Sequence, residues 1–284
     1  SLAAVLFLFQ RGLGTGLTIY APAIILSAIL GWNLTYMNIV IGVLVIVYTF
    51  SGGTTAVNVT QKQQIFVIMS GMFITFFLIL RYLPNDMTFT SALHIAGAND
   101  KMNIVNFSFD PEEKYTFWSG ITGGFFLALA YFGTDQSQVG RYLSGRSVKE
   151  SQMGLIMNGL LKVPMQFFIL LTGVMVFVFF QFNPVPLNFN PNNKAMIEKS
   201  AYKGEYNALE KKLDDLSEDK KVINLLYIDQ LNQDYDNPTL RKELVTLSNK
   251  EKDLRDRAKE IILKADSNSE TNDKDYVFFH FILN

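Results

Sequence analysis

Five long apolar runs crowd the first 182 residues, and no other feature limits the possible folds of this chain as strongly. They are Ser1 to Leu30, Leu34 to Phe50, Ile65 to Leu80, a run that opens at Phe117, and one that ends near Phe182. A membrane-crossing helix needs about 20 predominantly apolar residues. In hydrocarbon a segment must satisfy its own backbone N–H and C=O groups, and a helix does so internally. An all-α integral membrane fold with about five spans in residues 1–182 is therefore predicted. The first run is long enough to cross with tilt. Its Gly12 and Gly16, like Gly120 and Gly124 in the fourth run, let a neighbouring helix approach closely. Arg11 lies near its middle, where it can snorkel or face a site. Between the second and third runs, SGGTTAVNVTQKQQ combines a Gly pair that allows a tight turn with side chains that can satisfy freed backbone groups.

Charge is partitioned in the same way. Residues 1–182 carry 9 Lys and Arg with 7 Asp and Glu, although the whole chain has 25 and 26. Most of the charge therefore falls in residues 183–275, which read as a helical insertion outside the membrane. Leu209, Leu213 and Leu216, then Leu240, Leu244, Leu247, Leu254, Ile261 and Ile262, recur at helical spacing. A two- or three-helix hairpin is predicted there, with helices at 195–216, 220–235 and 240–265 and with its charges on solvated faces. Residues 276–284 begin a further apolar run. The chain lacks Met at position 1 and stops inside that run, so it is expected to be a fragment at both ends. Residues 84–116 form a polar loop with room for one short amphipathic helix, in which the isolated His94 is expected to be solvated. Neither half is basic enough for nucleic acid. The absence of cysteine excludes a disulfide framework, a thiolate metal site and a catalytic thiol. Enzyme motifs are absent, and no metal site is assignable.

The candidate site lies between Tyr131 and Gln166. YFGTDQSQVGRYL, the basic turn SGRSVKES and QMGLIMNGLLKVPMQFF read as a helical hairpin. Folded about Ser147, with a rise of about 1.5 Å per residue, it brings Tyr131 and Lys162 to similar depth. Asp135 is expected one turn from Tyr131 on the same face. Asn158, Lys162 and Gln166 follow at i, i+4 and i+8, forming one polar stripe in an apolar helix. Ionisable groups at membrane depth cost several kcal/mol and usually mark a substrate or ion path. A structural pairing of Asp135 with Lys162 is the plainer alternative, but it does not account for the surrounding amides and hydroxyls.

Basic residues at Arg141, Arg146 and Lys149 place that turn in the cytoplasm. Counting spans from it puts the Gly52-Gly53 linker on the same side and residues 84–116 and 183–275 outside the cell.

YFGTDQSQVGRYLSGRSVKES, GGTTAVNVTQKQQ before it and LLKVPMQF after it resemble the sodium:solute symporter family over residues 1–182. The resemblance implies part of a LeuT-type inverted-repeat helix bundle, with core helices three to seven present and the first core helix lying before residue 1. It further implies a secondary transporter in the plasma (inner) membrane. Such a carrier couples entry of a cation, sodium by resemblance, to uptake of a small polar solute, either a sugar or polyol or an organic anion. By position, Tyr131 matches the family's inner aromatic gate and Lys162 its solute-contacting lysine. Asp135 and Gln136 match a segment lining the same cavity, and Asn158 and Gln166 complete the substrate-binding set. Thr60 and Gln61 stand where many members have Thr-Asp beside the ion path, which implies one sodium per solute. Phe132 departs from the Tyr-Trp pair of sugar carriers. A rival reading makes the chain a membrane sensor, with the insertion binding a ligand or partner.

Overall fold

The computed structural model describes residues 2–103, 105–110, 113, 116–143 and 147–283. Every regular element among them is a helix. The chain divides into two compact units, 1–74 and 75–284.

The first unit holds α1 (Leu2–Leu30) and most of α2 (Leu34–Tyr82). Gly31 ends α1 with φ at 68°, a left-handed conformation that glycine adopts without a Cβ penalty. The sequence separates the second and third runs by a polar turn, whereas the structure carries α2 through it with a single kink. Gly53 has φ 55° and ψ −151°, and a Cβ on Gly52 would run into the side chain of Ala56. Both positions therefore require glycine, and they set the bend.

In the second unit, the polar loop contains the short helix the sequence allows, α3 (Phe89–Ala98). The Thr88 hydroxyl caps it by accepting from the Ser91 N–H. The fourth apolar run forms α4 (Phe117–Leu129), followed by a π-helical turn (Ala130–Thr134) and a new helix, α5 (Gln136–Leu143). At 13 residues α4 is shorter than the span expected from Phe117 onward. The fifth run is α6 (Val148–Phe179), whose first turn is capped by the Ser147 hydroxyl accepting from Glu150 N–H. By length and composition, three described segments can cross a membrane: Leu34–Gly53, Ala56–Tyr82 and Val148–Phe179.

Residues 183–275 contain α7 (Pro191–Glu198), α8 (Lys203–Leu231) and α9 (Pro238–Ala265), and α10 (Lys274–Leu283) follows. Asn190-Pro191 and Asn237-Pro238 start α7 and α9 in the same way. The Asn side chain accepts from the N–H two residues on, and Pro takes the first helical position, where its missing donor costs nothing. Of the helices expected over 195–216 and 220–235, residues 195–198 close α7, whereas 203–216 and 220–231 form the single helix α8. Residues 205–231 contain neither Gly nor Pro, so nothing breaks α8 at Ser217.

The α8–α9 pair runs antiparallel. Near the turn, Tyr227 and Ile228 share a core with Leu244, and at the far end Leu209 and Leu213 pack with Ala258, Ile261 and Ile262. The first core also takes in Ile79 of α2, Ile95 and Ala96 of α3, Met175 and Val178 of α6, and, at its edge, Val277 and Phe281 of α10. The helical insertion is thus continuous with the ends of the apolar helices. Its charges are not all solvated. Lys220 is 4% exposed and donates to Glu251 at 2.8 Å, and Arg255 donates to the other Glu251 oxygen at 3.0 Å. Arg255 also lies 4.0 Å from Asp273, whose carboxylate accepts from Phe189 N–H and so links the two chain ends of the insertion. The periodicity places Lys220 on the same face as Leu209 and Leu213, which is why it is buried.

Candidate functional site

The predicted hairpin forms from α5 and α6, and the Ser151 hydroxyl on α6 donates to the Tyr142 carbonyl on α5 at 2.6 Å. Its first arm is not a continuous helix. The Ala130 carbonyl accepts both the Asp135 N–H at 3.0 Å and the Thr134 hydroxyl at 2.9 Å, which widens the last turn after α4. Asp135 then leaves the helical region, with φ −70° and ψ 108°, and its carbonyl receives Gln138 and Val139 N–H as α5 begins. Tyr131 and Asp135 therefore do not stack one α-helical turn apart, and the equal-depth count, which assumed an unbroken helix, does not hold. The break has a signal in the sequence: Asp135 followed three residues later by Gln138 is a helix-start pattern. Gly133 and Thr134 just before it lower helix propensity.

Tyr131 sits in the π-helical turn, its ring edge-on to Phe132 with centroids 5.0 Å apart. Gln136 is the first residue of α5. On the other arm α6 is helical throughout, so Asn158, Lys162 and Gln166 share one face, and all three are exposed. Pro164 lies among them. It has no N–H to donate to the Leu160 carbonyl, so a backbone acceptor within the stripe loses its ladder partner. The arrangement thus offers an ammonium, two carboxamides and a carbonyl along α6. The other arm adds an aromatic ring and a non-helical Thr134-Asp135 step. Such a set suits reversible binding of a polar solute; it contains no activated nucleophile.

Thr60 and Gln61 lie on α2 past the Gly53 kink, in the first compact unit, and both are half-buried. The Thr60 hydroxyl donates to the Ala56 carbonyl at 2.8 Å, which leaves its oxygen lone pairs as acceptors. Of the basic turn, Arg146 lies outside the described residues. Among the described residues no group of three or more His, Asp or Glu side chains could hold a metal ion.

A model of the sodium:solute symporter family matches residues 2–207. The sodium/iodide cotransporter of Homo sapiens is 31% identical over 144 residues, covering 51% of this chain and 22% of that protein. Sodium-coupled monocarboxylate transporter 2 of Mus musculus is 32% identical over 157 residues, or 55% of this chain and 25% of that protein. Sodium-coupled monocarboxylate transporter 1 of Homo sapiens is 32% identical over 154 residues, 54% and 25%. The chain thus spans about a quarter of the length of the curated relatives it matches. No solved structure matches it.

Proposed function

The chain belongs to the sodium:solute symporter family, and on that premise we propose that it is part of a secondary transporter that couples sodium entry to uptake of a small organic anion. The polar stripe on α6 carries the reading. A lysine at the centre of a 32-residue apolar helix is costly to keep unless it meets a counter-charge. The sodium-coupled monocarboxylate and iodide carriers among the relatives move anions, which supports an anion over a sugar or polyol.

In this reading Lys162 receives the solute's charge, and Asn158, Gln166 and Gln136 satisfy its remaining polar atoms. Tyr131 covers it from the π-helical turn, and Asp135 lines the same cavity. Thr60 and Gln61 offer neutral oxygens beside the ion path, so one sodium accompanies each solute. Sodium favours one conformation of the carrier, solute adds its own differential affinity, and the loaded form switches. The chain's helices are part of a LeuT-type inverted repeat in the plasma or inner membrane, with residues 183–275 on the extracytoplasmic side.

The test is uptake by vesicles bearing the intact carrier, with labelled propionate, iodide and glucose compared side by side. Saturable propionate uptake with no glucose uptake is the expected result, and iodide uptake without propionate uptake would keep the anion but overturn its organic character. Glucose uptake alone would overturn the anion assignment.

A further inference from the structure

α3 meets the α8–α9 pair across a cleft of about 280 Å³ that the transport reading does not use. Thr90, Leu93 and His94 of α3 line one wall, and Tyr227 of α8 and Arg241 of α9 line the other. Leu93, Gly97 and Ala98 give it an apolar floor beside the largely buried Tyr227. Tyr227 is held in place because its hydroxyl donates to Asp236 at 2.7 Å. Asp236, which accepts that bond, stands beside the cleft and keeps its charge, but among the described residues no carboxylate lines the cleft itself.

The charged and polar groups on the lining itself suit an anion. Arg241 is exposed in the first turn of α9, and among the described residues no carboxylate pairs with it. His94 is exposed one helical step from Thr90, so the rim offers a permanent cation, an imidazole and a hydroxyl to one ligand. A guanidinium fork matches a carboxylate with two parallel hydrogen bonds. Small-ligand sites commonly combine a mostly apolar lining with a few convergent polar groups. We propose that this cleft binds a small organic monocarboxylate, its carboxylate on Arg241 and its apolar body against Leu93 and Tyr227. None of these residues belongs to the stripe on α6, so the site stands whether or not Lys162 contacts transported solute.

Residues 1–284 contain two histidines, His94 and His280, and the signal lost in His94→Gln or in His280→Gln assigns each of them in the intact carrier. With ¹⁵N-histidine-labelled protein in nanodiscs, titration with benzoate should shift the His94 ring signals saturably and leave His280 unmoved. Benzyl alcohol and sodium chloride should not reproduce the shift. Arg241→Gln should weaken the response about tenfold, the loss of one charged hydrogen-bonding partner, and Arg241→Lys should weaken it less. The unchanged His280 signal reports that each variant remains folded. The proposal is overturned by an unmoved His94, by both histidines moving together, by an equal response to benzyl alcohol or chloride, or by a saturable shift that Arg241→Gln leaves intact.

Discussion

Glu251 is the residue on which the insertion's charge balance turns. Burial pushes its carboxyl up, but Lys220 and Arg255 outweigh that effect and hold it below its ordinary value of 4.5. A carboxyl depressed in the folded state contributes stability that is complete above its unfolded value and is lost as pH falls through the folded one. Unfolding of the insertion should therefore be insensitive to pH from 7 down to about 5 and become easier below about 4.5. Glu251→Gln should reduce that dependence and cost about 3 kcal/mol at neutral pH, because Lys220 would remain buried without its partner. Thermal melts monitored by circular dichroism between pH 3 and 7 would check both. Asn224 has the opposite expectation. It is fully buried on α8 and among the described residues neither side-chain atom has a hydrogen-bond partner, so Asn224→Leu should stabilise the α8–α9 pair by about 1–2 kcal/mol in the same melts. A fall in stability would mean that the amide meets a need the fold does not display. For transport, Lys162→Ala should raise the half-saturating solute concentration about tenfold or more, since a charged hydrogen bond contributes about 1.5–3 kcal/mol. Unchanged uptake kinetics would return Lys162 to a purely structural role.

At the level of elements, the sequence was most readable where one local rule dominates. The Asn-Pro starts of α7 and α9, the Ser147 cap and the apolar periodicity of α9 announce themselves. The charged run SEDKK looks like a link in the middle of α8, but charged residues without Gly or Pro continue a helix readily. The break at Asp135 is harder to read, because YFGTDQSQVGRYL fits one arm of a hairpin as well as it fits the helix-start pattern inside it. The i, i+4, i+8 stripe on α6 was legible because it needs only an unbroken helix, whereas the relation of Tyr131 to Asp135 depends on where the helix stops. The insertion's packing could not be read, because α3, α6, α8 and α10 are far apart in sequence and only tertiary contact joins them. Residues 208–275 lie beyond the family match, and on that ground alone the helical block would be expected to be dispensable. The shared core argues otherwise: deleting 184–273 would expose Ile79, Ile95, Met175 and Val178, so the shortened carrier should lose folded yield, measured as the monodisperse fraction in detergent. Undiminished yield would show that the shared core adds little.

Across the whole molecule, the proposed topology and the proposed activity are separable. With the basic turn at 141–149 and the Gly52-Gly53 kink in the cytoplasm, the turn between α8 and α9 at residues 232–237 lies outside, and a protease applied to intact cells, or to spheroplasts where an outer membrane intervenes, should cut there. Protection until lysis would reverse the topology and leave the chemistry of the stripe untouched. The central claim is sodium coupling, and it is tested most directly by solute accumulation in proteoliposomes containing the intact carrier. An inward sodium gradient should concentrate labelled propionate or iodide above its external level, and dissipating the gradient with a sodium ionophore should return it to equilibrium. Accumulation that is the same when choline replaces sodium, or solute that never rises above the external concentration, would contradict the account.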